Sequence, residues 1–492
     1  MRDESRKCGE ADFIAFPETE EDVREVLRSA SAARLKVTIQ GARTGITAGS
    51  VPEGGLILNL SRMNKINEPV FDKEHGCFLT VQPGVLLTDI RKVLEDTDCF
   101  FPPDPTEASA SIGGMVACNA SGACSYNYGP VRSYVEALRV VLADGSGIQL
   151  QRGRHKAIKR SFSIHTDTGR EISGELPEYL MPAVKNAAGY YAVDDMELVD
   201  LFTGAEGTLG VVTEIKLRLL EKPAAIWGVM AFFPAEEAAV RFVRALRGDS
   251  ASDGNSERAG NPAAIEYFNH DALKLLRKMK ADNKAFADIP DMPASYHTAI
   301  YFEYHGSDEQ SVSDMVVNSV EQMEECGGNG DDSWIATGRK ELERLKYVRH
   351  AVPEAVNLEI DIRRKSDPGL SKLGTDMAVP DSALEAVMDM YNRSLAQAGL
   401  ESVMFGHIGS NHIHVNILPF NMEDYNKGKM LYEYWACKVI GMGGTISAEH
   451  GVGKMKTGLL RKMYGSTGIE QMQSLKRLFD PGLVLNRGSL WK

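Results

Sequence analysis

The chain has 492 residues, of which 43% are hydrophobic, 25% charged and 8% aromatic, the composition of a globular protein with material for more than one core. Its 55 lysines and arginines against 68 aspartates and glutamates leave a formal net charge of −13. That balance argues against a nucleic-acid-binding protein, because phosphate recognition needs a basic surface.

Pro17-Glu-Thr-Glu-Glu-Asp-Val23 opens a helix, with Thr19 as its cap and acidic residues in the first turn. Alternation then predicts strands at 36–40 and 55–60, with a glycine loop at 41–49 between them. A strand at 78–82, a helix at 86–95 and a strand at 135–143 follow. The apolar run 211–220 ends at Glu221-Lys-Pro-Ala224, where the main boundary is expected. Residues 248–262 and 326–333 read as exposed loops. A helix over 383–398 and a strand over 410–420 make the middle section α+β and a separate domain. No stretch approaches the ~18 apolar residues of a spanning helix, and residues 1–8 lack the apolar core of a secretory signal. The seven cysteines form no Cys-x-x-Cys, so neither a zinc ribbon nor a redox pair is indicated.

Gly41, Gly45 and Gly49 recur every four residues. A nicotinamide-type Gly-x-Gly-x-x-Gly must open a helix, whereas this loop runs into a strand, so that fingerprint is rejected. Such a loop can still cradle phosphates with its own N–H groups. Residues 102–129 and 203–214 are two further stretches dominated by small residues, as if something large and flat lay against the backbone.

Four of the eleven histidines fall at 407, 412, 414 and 450. The period-two rule puts His412, His414 and Asn416 on one strand face. That pattern reads as a half-buried strand with a polar side. With His407 and the Glu449-His450 pair it also reads as an imidazole and carboxylate set suited to zinc, iron or manganese with open positions.

These pieces stand in one order with Lys185-Asn-Ala-Ala-Gly-Tyr190, Arg349-His-Ala-Val-Pro353, Ser447-Ala-Glu-His-Gly-Val-Gly453 and Phe479-Asp-Pro-Gly-Leu-Val-Leu-Asn486. Together they resemble the vanillyl-alcohol oxidase type flavoproteins over nearly the whole chain. Within that group the match is to the branch of D-lactate dehydrogenase, glycolate oxidase and D-2-hydroxyglutarate dehydrogenase. The fold implied is α+β: a two-part PCMH-type FAD-binding domain (1–221), an antiparallel-sheet cap domain for substrate (222–447), and a C-terminal segment (448–492) returning to the flavin.

The resemblance also implies residue roles. Gly41, Ala42, Arg43, Thr44 and Gly45 would wrap the FAD pyrophosphate. Asp104, Pro105, Ile112, Gly113, Gly114, Asn119, Gly122, Tyr128 and Gly129 would line the flavin and ribityl side. Glu206, Gly207, Gly210 and Val211 would hold the adenosine end, with Asn486 reaching the ring. His407, His414 and Glu449 would ligate a divalent ion, His450 would be the base, and Arg349 would pair with the substrate carboxylate. His412 stands where relatives usually carry asparagine, and an extra ligand and a substrate contact are both open for it.

Several departures qualify this. Ala42 and Arg43 replace usual glycines, and Arg487 replaces a usual proline. The loop holds no histidine, so FAD is expected to be noncovalent. Gly374 stands in place of a lysine in the relatives' Lys-x-Asp-x-x-x-Pro, with Lys372 two residues earlier, so recognition of a second carboxylate is unsupported. Cys118 and Cys124 read as small packing residues. The expected activity is oxidation of a D-2-hydroxyacid by FAD. The alternatives are an oxidase of another alcohol and a flavin-bearing electron-transfer subunit. Electrons would leave to a separate acceptor such as an electron-transfer flavoprotein, another subunit or a quinone. A reducing cytoplasm is the expected location, with peripheral membrane contact and a homodimer left open.

Overall fold

The computed structural model describes residues 1–72, 76–248 and 261–492. Most of the loop expected at 248–262 lies outside the described residues. The chain divides into two compact units. The first comprises Met1–Ser121, Gly129–Lys222 and Thr445–Lys492, and the second Gly122–Tyr128 and Pro223–Gly444. The architecture is α+β throughout.

Local chemistry sets the first unit's opening helix, Glu20–Ala32. Thr19 Oγ1 accepts from the Asp22 N–H at 3.2 Å, and the Asp22 carboxylate accepts from the Thr19 N–H at 2.9 Å, a reciprocal capping box. Val23, Leu27 and Ala30 form its buried stripe. The helix packs beside a parallel three-stranded sheet of Phe13–Ala15, Leu56–Asn59 and Val37–Gln40. A second, antiparallel sheet runs in the order Val70–Asp72, Gly76–Val81, Val211–Glu221, Val135–Val141 and Gly147–Gln151, with Cys99–Phe100 also paired to Val211–Glu221.

The chain's end completes this unit. Val37 N–H donates to Val484 O and Asn486 N–H to Val37 O, both at 2.8 Å, and Val484 and Leu485 join the core of Val23, Leu27, Val37 and Leu58. A buried ion pair holds the returning segment. Lys476 Nζ meets Asp480 at 2.8 Å and donates to the carbonyls of Thr208 and Leu485, while the Asp480 carboxylate accepts from the Val484 and Leu485 N–H groups.

The second unit is built on a seven-stranded sheet. Its order is Trp334–Ala336, Ala225–Phe233, Thr298–Gly306, Ala264–Phe268, Ser402–His407, His412–Ile417 and Leu373–Gly374, antiparallel throughout. The strand expected over 410–420 starts at His412, because Ile408–Ser410 forms a 3-10 turn and Asn411 takes φ +51°. The 25-residue helix Arg339–Arg363 buries Leu345, Val348, Val352 and Val356 in one core with Met230, Phe232, Tyr301 and Val403.

Candidate active site

In the second unit, strand pairing gathers charge onto one face of an apolar sheet. Glu266 stands opposite Tyr301, Phe405 opposite His414, and His407 opposite His412. The five residues Ala264–Phe268 are all buried, so a carboxylate among them needs partners. Glu266 has two. His407 Nδ1–H donates to Oε1 at 2.5 Å, and Arg349 Nε–H donates to Oε2 at 3.1 Å. Burial opposes the charge, but the His407 imidazole and the Arg349 guanidinium outweigh it and hold Glu266 down to about 2. One turn earlier on the same helix, Lys346 meets Glu303 at 3.1 Å, and Glu303 also accepts from Tyr301. Arg349 is thus a buried residue, 7% exposed, rather than a solvated helix arginine.

The three imidazoles cluster closely. Ring centroids are 5.4 Å apart for His407 and His412, 5.7 Å for His407 and His414, and 4.3 Å for His412 and His414. Hydrogen bonds orient two of the rings, from Glu266 for His407 and from the Thr375 carbonyl for His414 Nδ1 at 3.0 Å, while His412 Nε2 lies 3.1 Å from Asp376 Oδ1. When His407 and His414 are neutral with Nδ1 donating, their Nε2 atoms carry the lone pairs. That is the tautomer a metal ligand needs. The donor set therefore fits a divalent ion of the zinc, iron or manganese type.

The first unit carries the carboxylate–imidazole pair. Lys185 Nζ meets Glu449 Oε2 at 2.6 Å, Ser121 Oγ donates to the same oxygen at 3.2 Å, and His450 Nε2 lies 3.4 Å from Glu449 Oε1. Glu449 is largely covered, and the His450 side chain is 29% exposed.

The glycine loop of this unit fits an anionic group. Among the described residues the N–H groups of Arg43, Thr44, Gly45 and Ile46 donate no hydrogen bond, leaving four successive donors. Arg43 and Ala48 take positive φ, and a Cβ at Gly45 or Gly49 would meet nothing within 4 Å. Elsewhere the small residues answer to the protein itself. A Cβ on Gly41 would lie 2.1 Å from Ser111 Oγ, on Gly113 2.6 Å from Pro83, and on Gly210 2.5 Å from Val140. Small size in those stretches is required by close chain packing, whatever ligand lies nearby.

The remaining expected residues are distributed as follows. Ile112 is buried, Pro105 flanks Asp104, and Asp104 pairs with Arg91. Asn119 accepts from the Arg132 N–H. Asn486 is held at both ends of its amide, by Ile39 N–H at 2.7 Å and the Glu206 carbonyl at 2.7 Å, beside Gly207. Gly122 and Tyr128 belong to the second unit, where Tyr128 Oη lies 2.7 Å from His305 Nδ1. Sequence reasoning missed Glu266 and gave Asp376, the aspartate of the Lys-x-Asp-x-x-x-Pro pattern, no role. The usable signal was a carboxylate inside an apolar strand for one, and a short Thr-Asp before an apolar turn for the other.

The protein is a flavoprotein oxidoreductase by its family matches. Residues 11–151 match the family model described as FAD binding domain, and residues 222–490 match FAD linked oxidases, C-terminal domain. The chain belongs to the FAD-linked oxidases. It is 30% identical over 495 residues to a probable mitochondrial D-lactate dehydrogenase of Danio rerio, covering 99% of this chain and 86% of that one. It is 28% identical to glycolate oxidase subunit GlcD of Bacillus subtilis, covering 98% and 89%. It is 26% identical to a D-2-hydroxyglutarate dehydrogenase of Stutzerimonas stutzeri, covering 97% and 90%. A solved alkyldihydroxyacetonephosphate synthase shares the fold, with TM-score 0.62 and 16% identity over 96% of this chain and 76% of that one. No described helix is long and apolar enough to cross a membrane.

Proposed function

We propose that the chain is an FAD-dependent dehydrogenase that oxidises a small D-2-hydroxyacid with one carboxylate, of the D-lactate or glycolate kind, to the 2-oxoacid. One observation carries this reading. A single buried carboxylate, Glu266, orients both Arg349, suited to a substrate carboxylate, and His407, suited to an ion that binds the neighbouring hydroxyl.

When bound, the flavin supplies hydride acceptance from the substrate Cα and a divalent ion supplies charge stabilisation at the hydroxyl oxygen. The protein's residues do the rest. Arg349 anchors the carboxylate with its rigid fork, which fixes the orientation of the Cα–H bond. His407 and His414 present Nε2 as ligands, with Glu449 as the carboxylate of the set and His412 beside them, its Nε2 3.1 Å from Asp376. His450 takes the hydroxyl proton, which imidazole does best near neutral pH. The loop 41–45 holds the FAD pyrophosphate noncovalently, with Asn119, Gly207 and Asn486 in the same unit. Electrons leave to a separate acceptor.

Substrate size follows from Gly374. It pairs with Asn416, and the space a Cβ would take lies 2.9 Å from Asn416 Oδ1, so position 374 offers no cation for a second carboxylate. Anaerobic mixing with D-lactate, glycolate and D-2-hydroxyglutarate, followed by bleaching of the visible flavin band, tests the reading. Rapid bleaching by either monocarboxylate and slow bleaching by the diacid is expected. Preference for the diacid, or no bleaching by any of the three, overturns it.

A further inference from the structure

The first unit holds a carboxylate, Glu206, whose hydrogen bonds go to the loop that follows His450. Glu206 is 7% exposed. Its Oε1 accepts from the Val452 N–H and its Oε2 from the Gly453 N–H, each at 2.7 Å. Those two amides follow His450 directly, separated from it only by Gly451. The loop's two glycines are closely packed. Gly451 sits at φ +74°, and a Cβ there would lie 2.9 Å from Glu206 Oε1. Gly453 sits at φ +52°, and a Cβ there would lie 2.1 Å from Thr47 O. Glu206 itself takes φ +51°, uncommon for a residue with a side chain, and its N–H is tied to Ala117 O at 2.8 Å.

Other bonds finish the frame around the histidine. Thr47 Oγ1 donates to His450 O at 3.4 Å, and Thr47 O accepts from the Lys454 N–H at 2.9 Å. Ser447 Oγ donates to Gly451 O at 2.7 Å and accepts from Lys456 Nζ at 3.0 Å. Leu490 N–H donates to Gly453 O at 2.9 Å. Glu206 grips two consecutive loop amides with one rigid group, and so holds the direction of the backbone leaving His450.

We propose that Glu206 is a positioning residue for His450: its carboxylate clamps the Val452–Gly453 backbone and so sets the approach of the imidazole to the substrate hydroxyl. This rests on His450 being the base. A base displaced by a fraction of an ångström loses rate without losing substrate affinity, at about 10- to 100-fold. Charge-assisted bonds from two amides are strong enough to impose that geometry.

The test uses the flavin-loaded enzyme and two variants that loosen the clamp from opposite sides. Glu206→Gln keeps the size but turns an NH2 toward one amide N–H. Gly451→Ala keeps Glu206 and drives a methyl against Oε1. Both should retain FAD, speed amide hydrogen exchange within 449–456 above that of the rest of the unit, and lower the limiting rate of anaerobic flavin reduction 10- to 100-fold at nearly unchanged half-saturating substrate. Faster loop exchange with a wild-type limiting rate overturns the proposal. So does FAD loss in Glu206→Gln with unchanged loop exchange, which would return Glu206 to the cofactor. His450→Ala, run in parallel, separates the two readings: a wild-type rate there sinks the base assignment itself, whereas a slow His450→Ala beside a fast Glu206→Gln sinks only the clamp.

Discussion

Glu266 Oε1 lies 2.5 Å from His407 Nδ1, across a separation of 141 residues in the chain. The carboxylate's other oxygen holds Arg349, so one side chain couples an imidazole ligand and an anion anchor.

Replacing that carboxylate should therefore do more than remove a bond. Glu266→Gln leaves the Arg349 guanidinium buried without its counter-charge, a loss of about 3 kcal/mol in denaturant unfolding. Metal retention should weaken about 10- to 100-fold, as for other carboxylates that orient a ligand histidine. The pH dependence has a definite sign. The folded protein holds Glu266 down to about 2 against an ordinary 4.5, so its stabilisation is complete above the ordinary carboxylate range and is lost as pH falls toward 2. The wild type should lose stability over that window, and Glu266→Gln should lose less.

Chelation should abolish turnover and leave the flavin spectrum intact, since the proposed ligands and the pyrophosphate loop are different residues. Elemental analysis should find about one divalent ion per chain at a site of this donor set, and His414→Ala should lose it. Full activity in protein stripped of metal would reduce the histidine cluster to a hydrogen-bonded core.

His450→Ala and Arg349→Ala should fail differently. Loss of a general base typically lowers the rate about 10²–10⁴-fold. His450→Ala should slow flavin reduction at saturating substrate while half-saturation stays put. Arg349→Ala removes a charge-assisted anchor and should chiefly raise the concentration needed. Stopped-flow reduction across substrate concentrations separates the two, and equal behaviour of the variants would refute the division of roles.

Burial pushes Glu206 up to about 7, against the Val452 and Gly453 amides and Lys456, which pull it down. The protonated acid is therefore relatively favoured at low pH, while near and above pH 7 the ionised carboxylate grips the two amides. The contribution of the protonated form is fully present below the ordinary carboxylate value and is lost as pH rises through 7. A buried group with this shift accounts for about 3 kcal/mol between the two limits. Wild-type unfolding free energy should decline from pH 5 to 8 more steeply than that of Glu206→Gln. Parallel curves would refute the shift.

Asp480→Asn should leave Lys476 buried without its counter-ion, a loss of about 3–5 kcal/mol. It also weakens the two amide bonds that fix Val484 and Leu485. A fall in FAD retention should accompany the lower melting temperature, because Asn486 follows in the chain. Wild-type stability in this variant would make the pair incidental.

Elements set by local chemistry were the easiest to read from sequence. The Thr19 cap and the helix it opens need only four neighbouring residues, and the strand–loop–strand around Gly45 needs only hydropathy and glycine spacing. Arg349 shows the limit. Helical spacing beside Arg344 and Lys346 is equally that of a solvated face, and the carboxylate that buries it lies 83 residues away. His412 and His414 could be placed on one face by alternation, whereas the Thr375 carbonyl that orients His414 and the closeness of Asp376 to His412 became visible only in the fold. The small-residue stretches were informative about close packing: Gly113, Gly114 and Gly210 sit against Pro83, Ser111 and Val140.

The sheet strand Val37–Gln40 has the parallel neighbour Leu485 on its open side. A ribosome making this chain therefore releases Val37 hundreds of residues before its neighbour exists. Every strand of the seven-stranded sheet is synthesised in the interval. The N-terminal segment must wait with Val23, Leu27 and Val37 incompletely covered, a hydrophobic surface open to chaperones and to self-association until the last stretch of chain arrives.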